Sequence, residues 1–196
     1  MATTTSTASP ANHNALLAAL LCTTVAAASF LPAGSSAAAG TSYLITQTCR
    51  RTSNPPLCVS LLQSNNRSLH PTTVHELAVV AVTAARRSAL RARLRASIMR
   101  GDVAAGTPAD RVVRRCNALY ADCVRAGAKA VGAVSTATVG DDAGRAADAV
   151  RALRLFPETC GTLLRVRRVA PWLEEVSWQV AEELGVAAEV VRLLRR

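Results

Sequence analysis

The chain has 196 residues, enough for one domain with a real hydrophobic core and too few for two of ordinary size. Half of the residues are hydrophobic and only 3% aromatic, and Ala, Val, Leu and Arg dominate, a composition that favours helix over strand. The formal charge is +10, and no charged residue precedes Arg50. Because the arginines are spread over every helical segment and stacking aromatics are few, the charge does not point to a nucleic-acid binder.

In chain order, Met1 to Asn14 is polar and of low complexity, Ala15 to Leu31 is almost continuously apolar, and PAGSSAAAG follows. This pattern reads as a secretory signal peptide over residues 1–39, cut between Ala28 and Gly40, although its first segment carries only His13 as a basic group. The apolar run is shorter than the ~20 residues of a spanning helix, so no membrane association is expected after cleavage. The domain proper is expected over 40–196, a hairpin region at 40–69 followed by a bundle at 70–196.

Beyond Cys22, five cysteines remain: Cys49, Cys58, Cys116, Cys123 and Cys160. In a secreted chain they imply disulfides, with one thiol left over. No CxxC pair exists, so a metal site is not expected. Asn54-Pro55-Pro56 makes a turn that lets Cys49 and Cys58 meet. Cys116 and Cys123 lie seven residues apart on one predicted helix, about 10.5 Å, too far to bridge each other. Cys160 can therefore take either one. Both point to the same face, and spacing alone does not choose between them.

Four amphipathic helices follow. The first is predicted to begin near Pro71, with a small-residue stripe from Val74 and Leu77 through Ala78, Ala81, Ala85, Ala89, Ala92 and Ala96. The second opens at Thr107-Pro108-Ala109-Asp110, where Thr107 can cap and Asp110 can reach back to close a capping box; it frays into Gly132 to Gly140. The third starts at Asp141 or Asp142, with Pro157 expected to kink or interrupt it before Cys160. The fourth starts at Pro171, with a buried stripe at Val176, Val180, Leu184, Ala187, Val191 and Leu194. Short connections between four such helices predict an all-α, up-down-up-down bundle.

Catalytic signatures are missing: there is no GxSxG, no HExxH, no glycine-rich phosphate loop and no DxD cluster. His70 and His75 read as polar surface residues. The chain is therefore expected not to be an enzyme and to need no cofactor. Asn66-Arg67-Ser68 is a possible glycosylation acceptor at Asn66.

From Leu44 the chain reads LITQTCRRTSNPPLCVSLLQSN, followed by Cys116-Asn-Ala-Leu-Tyr120 and Pro157-Glu-Thr-Cys160. These segments resemble the plant invertase and pectin methylesterase inhibitor family, and the likeness extends over essentially all of 40–196. The resemblance implies a four-helix bundle preceded by a disulfide-closed N-terminal helical hairpin. It also implies the pairs Cys49–Cys58 and Cys116–Cys160, leaving Cys123 as the free thiol. The implied function is stoichiometric inhibition of pectin methylesterase, by covering its substrate cleft through the middle bundle helices, with acid invertase as the alternative target. The Pro-Lys-Phe tripeptide of many invertase inhibitors is absent. The chain ends at Arg196 without a catalytic domain, so a free-standing inhibitor in the apoplast is expected. Arg114, Asn117 and Asp122 are the candidate partner contacts, and the +10 charge makes anionic pectin a further expected partner.

Overall fold

The computed structural model describes residues 35–64, 71–138 and 140–195. The expected signal peptide up to residue 34, Cys22, Asn66 and His70 lie outside the described residues. Helix α1 (Ser35–Cys49) and helix α2 (Pro55–Ser64) form the N-terminal hairpin. Its turn closes where Pro55 enters α2 at a position that needs no N–H, and the side chain of Asn54 accepts from the N–H of Leu57 at 3.2 Å. Cys49 and Cys58 are bridged across this turn, with Cα atoms 5.5 Å apart. The domain boundary expected at residue 40 falls inside α1.

Four bundle columns follow: α3 (Val74–Asp102), α4 (Pro108–Thr136), the pair α5 (Asp141–Ala152) and α6 (Leu155–Arg167), and α7 (Pro171–Arg192), which ends in a 3-10 turn at Leu193–Arg195. Helix α3 packs on α4 and α7. Helix α4 packs on α5 and α6, and α7 packs on both of those. The hairpin sits on α3 and α7. The chain is thus an up-down-up-down four-helix bundle with a disulfide-closed helical hairpin in front of it.

Helix α3 starts later than the proline suggests. Pro71 lies three residues ahead of it, and Thr73 is the cap: its hydroxyl accepts from Glu76 N at 3.1 Å, while Glu76 Oε2 accepts from the N–H groups of Thr72 at 2.6 Å and Thr73 at 3.3 Å. These bonds, the one from Thr72 first, hold the Glu76 carboxyl below its ordinary range. A helix start goes to the residue that satisfies the most orphan N–H groups, and a reciprocal Thr–Glu pair satisfies more than a proline does. At α4, Thr107 caps as expected, with Asp110 N donating to its hydroxyl at 3.2 Å. Asp110 reaches one residue beyond the cap, accepting from Gly106 N at 2.8 Å. Gly106 has φ of 77°, a conformation open to glycine.

The third column breaks at Leu153–Arg154, ahead of Pro157. Pro157 has no N–H to offer the carbonyl of Leu153, and its ring crowds that carbonyl. The chain answers with shorter bonds: Leu153 N to Val150 O at 3.1 Å and Phe156 N to Leu153 O at 3.3 Å. Pro157 itself is buried in the first turn of α6.

The core is aliphatic and small. Ala78, Ala81, Ala85, Ala89, Ala92 and Ala96 of α3 are fully buried, which lets the neighbouring helices approach closely. Gly161 serves the same end between α6 and α7: a Cβ there would lie 3.1 Å from the ring of Trp178. Helix α7 buries more than its expected stripe. Val186, Ala188 and Val190 are also inside, because α3, the α5–α6 column and the hairpin pack on α7 from different sides, whereas Val176 and Leu194 of the stripe are only half-buried. The hairpin is fastened to α7 by Glu189, whose carboxylate accepts from Ser53 N at 2.7 Å and Ser53 Oγ at 2.8 Å.

Cys116 of α4 and Cys160 of α6 are bridged, with Cα atoms 5.0 Å apart and a sequence separation of 44. Closing a loop of that length constrains the unfolded chain by about 4 kcal/mol. The Cys116→Ala/Cys160→Ala chain is expected to lose stability on that scale, read as a lowered urea midpoint with a somewhat steeper slope, because the unbridged unfolded chain exposes more surface.

Glu183 of α7 is buried beside Ser88 and Arg91 of α3, with Oε2 unpartnered. Burial pushes its carboxyl above the ordinary value, against smaller pulls from Ser88, Arg91 and Gln179. The folded chain therefore holds this proton more tightly than the unfolded chain does. Its cost is absent in acid and grows as the pH rises from the unfolded towards the folded pKa. Glu183→Gln should raise the thermal midpoint near pH 7 and change it little at about pH 3.5; an equal rise at both would show that protonation is not involved.

Candidate functional site

The middle of the bundle is held at one point. Beneath the Cys116–Cys160 bridge, Tyr120 is fully buried and its hydroxyl donates to Ser177 Oγ of α7 at 2.8 Å. Ser177 in turn donates to the carbonyl of Leu173 at 2.7 Å and lies 3.4 Å from Cys160 Sγ. One turn further along α4, Cys123 is a buried free thiol, 3.9 Å from the carbonyl of Leu153 at the α5–α6 break. Burial raises the pKa of both groups to about 12. Neither is a nucleophile at neutral pH, since both are protonated and out of contact with water. Among the described residues, no group of three or more His, Cys, Asp or Glu could hold a metal ion.

The three candidate contact residues all lie on α4, within an arc of about 140° on the side away from Cys116. At about 100° per residue, Asn117 sits roughly 100° to one side of Cys116 and Asp122 roughly 120° to the other, with Arg114 nearly opposite. Each has a partner within the chain. Asn117 Nδ2 donates to Ser97 Oγ of α3, Arg114 pairs with Asp110 at 2.9 Å, and Asp122 pairs with Arg125. Asn117 marks the flank of α4 that meets α3, so Asp122 lies on the other flank, towards α5 and α6. His75, read from sequence as a surface residue, is half-buried and joins α3 to the end of α4 through a hydrogen bond to the carbonyl of Val134 at 2.9 Å.

The α5–α6 break adds what the sequence reading missed. It leaves Leu155 65% exposed in a shallow groove among Asp148, Arg151, Arg154 and Glu158. Arg154 bridges this region to α7, reaching Glu158 at 3.0 Å and Glu182 at 3.5 Å. Val166, near the end of α6, is 71% exposed. The signal for Leu155 was a proline two residues downstream, but a kink site does not reveal which side chain it turns outward. The whole face is a helical surface with exposed aliphatic side chains set among charges, of which Asp148, Arg154 and Glu158 are paired within the chain. It is suited to contact with another macromolecule.

The profile of the plant invertase/pectin methylesterase inhibitor family matches residues 43–182. The chain belongs to this family. The match takes in the closed hairpin, the Cys116–Cys160 bridge and most of α7. Among solved structures, the fold is similar to the crystal structure of a pectin methylesterase inhibitor from Arabidopsis thaliana. The TM-score is 0.56 at 17% identity, covering 79% of this chain and 97% of that one. A search of curated proteins found no significant match. Among the described residues of this family member, no helix is long and apolar enough to cross a membrane.

The burial of Cys123 has a direct chemical consequence. In the folded protein near pH 8, iodoacetamide should leave Cys123 unlabelled over hours, and unfolding in guanidinium should expose it to rapid labelling, both read by peptide mass mapping. Rapid labelling of the native protein would mean that the thiol is reached by solvent.

Proposed function

We propose that the chain is a secreted, stoichiometric protein inhibitor of pectin methylesterase, with residues 1–39 as its signal peptide, 40–69 as the hairpin and 70–196 as the bundle. Membership of the inhibitor family carries the reading. The absence of the Pro-Lys-Phe tripeptide inclines it from invertase towards pectin methylesterase.

The mechanism is steric. The outer face of α4 and the α5–α6 column lies over the substrate cleft and keeps the pectin chain out. Leu155 supplies an apolar anchor, and burying one such side chain is worth about 2 kcal/mol. Asp122 and its neighbours supply the polar rim, where exposed ion pairs exchange partners at little cost. The Cys116–Cys160 bridge keeps the face preorganised, so little conformational entropy is lost on docking. The excess of arginine favours approach to acidic surfaces, and anionic pectin in the wall is a second binding partner through the same charge.

The test is titration of the oxidised protein into pectin methylesterase and acid invertase assays at mildly acidic pH. Saturating inhibition of pectin methylesterase near equimolar ratio is expected, with invertase unaffected. Leu155→Asp and Asp122→Arg should each weaken inhibition about tenfold, or roughly 1.4 kcal/mol. Inhibition of invertase alone would move the assignment to the second enzyme, and inhibition of neither would refute the inhibitor reading.

A further inference from the structure

Helix α3 lies on the side of the bundle away from α5 and α6, packing its alanine stripe on α4 and α7. Its outer side is not the plain solvated face that so many arginines would suggest. Leu90, Leu94 and Ile98 are 39%, 56% and 71% exposed. They stand four residues apart, in one row that runs about 12 Å along the helix. Exposed aliphatic residues scattered singly are ordinary, but three in one row of this spacing form the ridge with which one helix packs into the groove of another.

As far as Arg100 the charges beside the ridge have one sign, and Asp102 follows one turn beyond Ile98 at the end of the helix. Between Glu76 and Asp102, α3 carries six arginines and no acidic residue. At about 100° per residue, Arg95 lies on one side of Leu94 and Arg93 on the other. Among the described residues, neither Arg93 nor Arg95 forms an ion pair or hydrogen bond, and the same is true of Arg100. Arg91 is turned to Ser88 Oγ at 2.7 Å, beside Glu183, and Arg86 is spent on the carbonyl of Val124.

We infer that the Leu90–Leu94–Ile98 ridge of α3 is a docking surface for an acidic amphipathic helix of a partner protein, whose apolar groove takes the ridge and whose flanking Asp or Glu carboxylates pair with Arg93 and Arg95. Guanidinium groups match carboxylates with two parallel hydrogen bonds, which a lysine cannot do. A second copy of the chain does not fit, because it would bring the same arginines against each other. Residues 1–49 do not fit either, having no acidic residue to offer. Three aliphatic side chains without an aromatic are also a small anchor for a lipid surface. So small an apolar area sets the affinity in the micromolar range of transient contacts.

The experiment uses the oxidised protein and three probes: a fluorescein-labelled helical peptide with a leucine stripe flanked by glutamates, polyglutamate of equal charge, and vesicles of phosphatidylcholine with phosphatidylserine. Fluorescence anisotropy should show the peptide binding at least tenfold more tightly than polyglutamate. Leu94→Ser/Ile98→Ser should abolish that advantage, and Arg93→Ser/Arg95→Ser should weaken peptide binding at least fivefold and flatten its salt dependence. All four positions lie outside the core, so circular dichroism should show unchanged folding. Equal affinity for peptide and polyglutamate would overturn the proposal, as would binding to vesicles but not to peptide, or self-association that Leu94→Ser/Ile98→Ser disperses. Inhibition assays with the same variants keep this result separate from that of the α4–α6 face.

Discussion

The contact between α4, α6 and α7 at Tyr120 is the point from which the rest of the bundle is set. The Cys116–Cys160 bridge joins two of these helices covalently, and the Tyr120–Ser177 hydrogen bond, buried just beneath, joins the third. A buried hydroxyl must be satisfied or it costs about 1–3 kcal/mol, so this bond constrains the register of α7 as well as its position. With three helices pinned, α3 closes the bundle chiefly by shape, helped by His75 and Arg86, which bond the carbonyls of Val134 and Val124 on α4. It does so with alanines, which carry little side-chain entropy and demand close approach. The hairpin is then seated on α3 and α7, where Glu189 holds the turn at Ser53.

A second consequence concerns the break in the third column. Pro157 denies Leu153 its helical hydrogen bond, and a straight helix would have covered Leu155 or turned it elsewhere. The break brings the carbonyl of Leu153 towards Cys123 and leaves Leu155 facing solvent. The same local fault thus accounts for the surroundings of the free thiol and for the apolar point on the candidate face. The molecule has two outward faces of different character. The α4–α6 face carries charges that are mostly paired within the chain, and α3 carries unpaired arginines beside an aliphatic row. The paired face is preorganised and loses little on docking. The unpaired one draws carboxylates over longer distances, and salt weakens it more.

Much was legible in the order of residues because helix starts are local events. Thr107 caps its helix, Pro108 and Pro171 have no N–H to satisfy, and the negative charge of Asp141 and Asp142 suits a helix N-terminus, so no distant partner is needed to read these starts. The alanine stripe and the all-α class follow from periodicity in the same way, and Leu44 to Asn65, with its two cysteines and double proline, carries the family likeness. Where local signals competed, spacing could not rank them. Thr73 with Glu76 outweighed Pro71, and the interruption fell at Leu153–Arg154 because a proline acts on the carbonyl four residues before it.

The sequence by itself determined the helices, their amphipathic faces and the charge, because these depend on neighbours within about one helical turn. Spacing left open which of two cysteines on one face of α4 meets Cys160; the family resemblance implied Cys116, and the tertiary structure brings those two together. Only the tertiary structure decided that Ser177 and Glu183 are buried on α7, that Asn117 meets Ser97 of α3, and that Leu155 and the Leu90–Leu94–Ile98 row face outward. Each of those depends on how one helix is rotated and slid against another. That rotation is set by close packing across the whole bundle, and no single segment contains it.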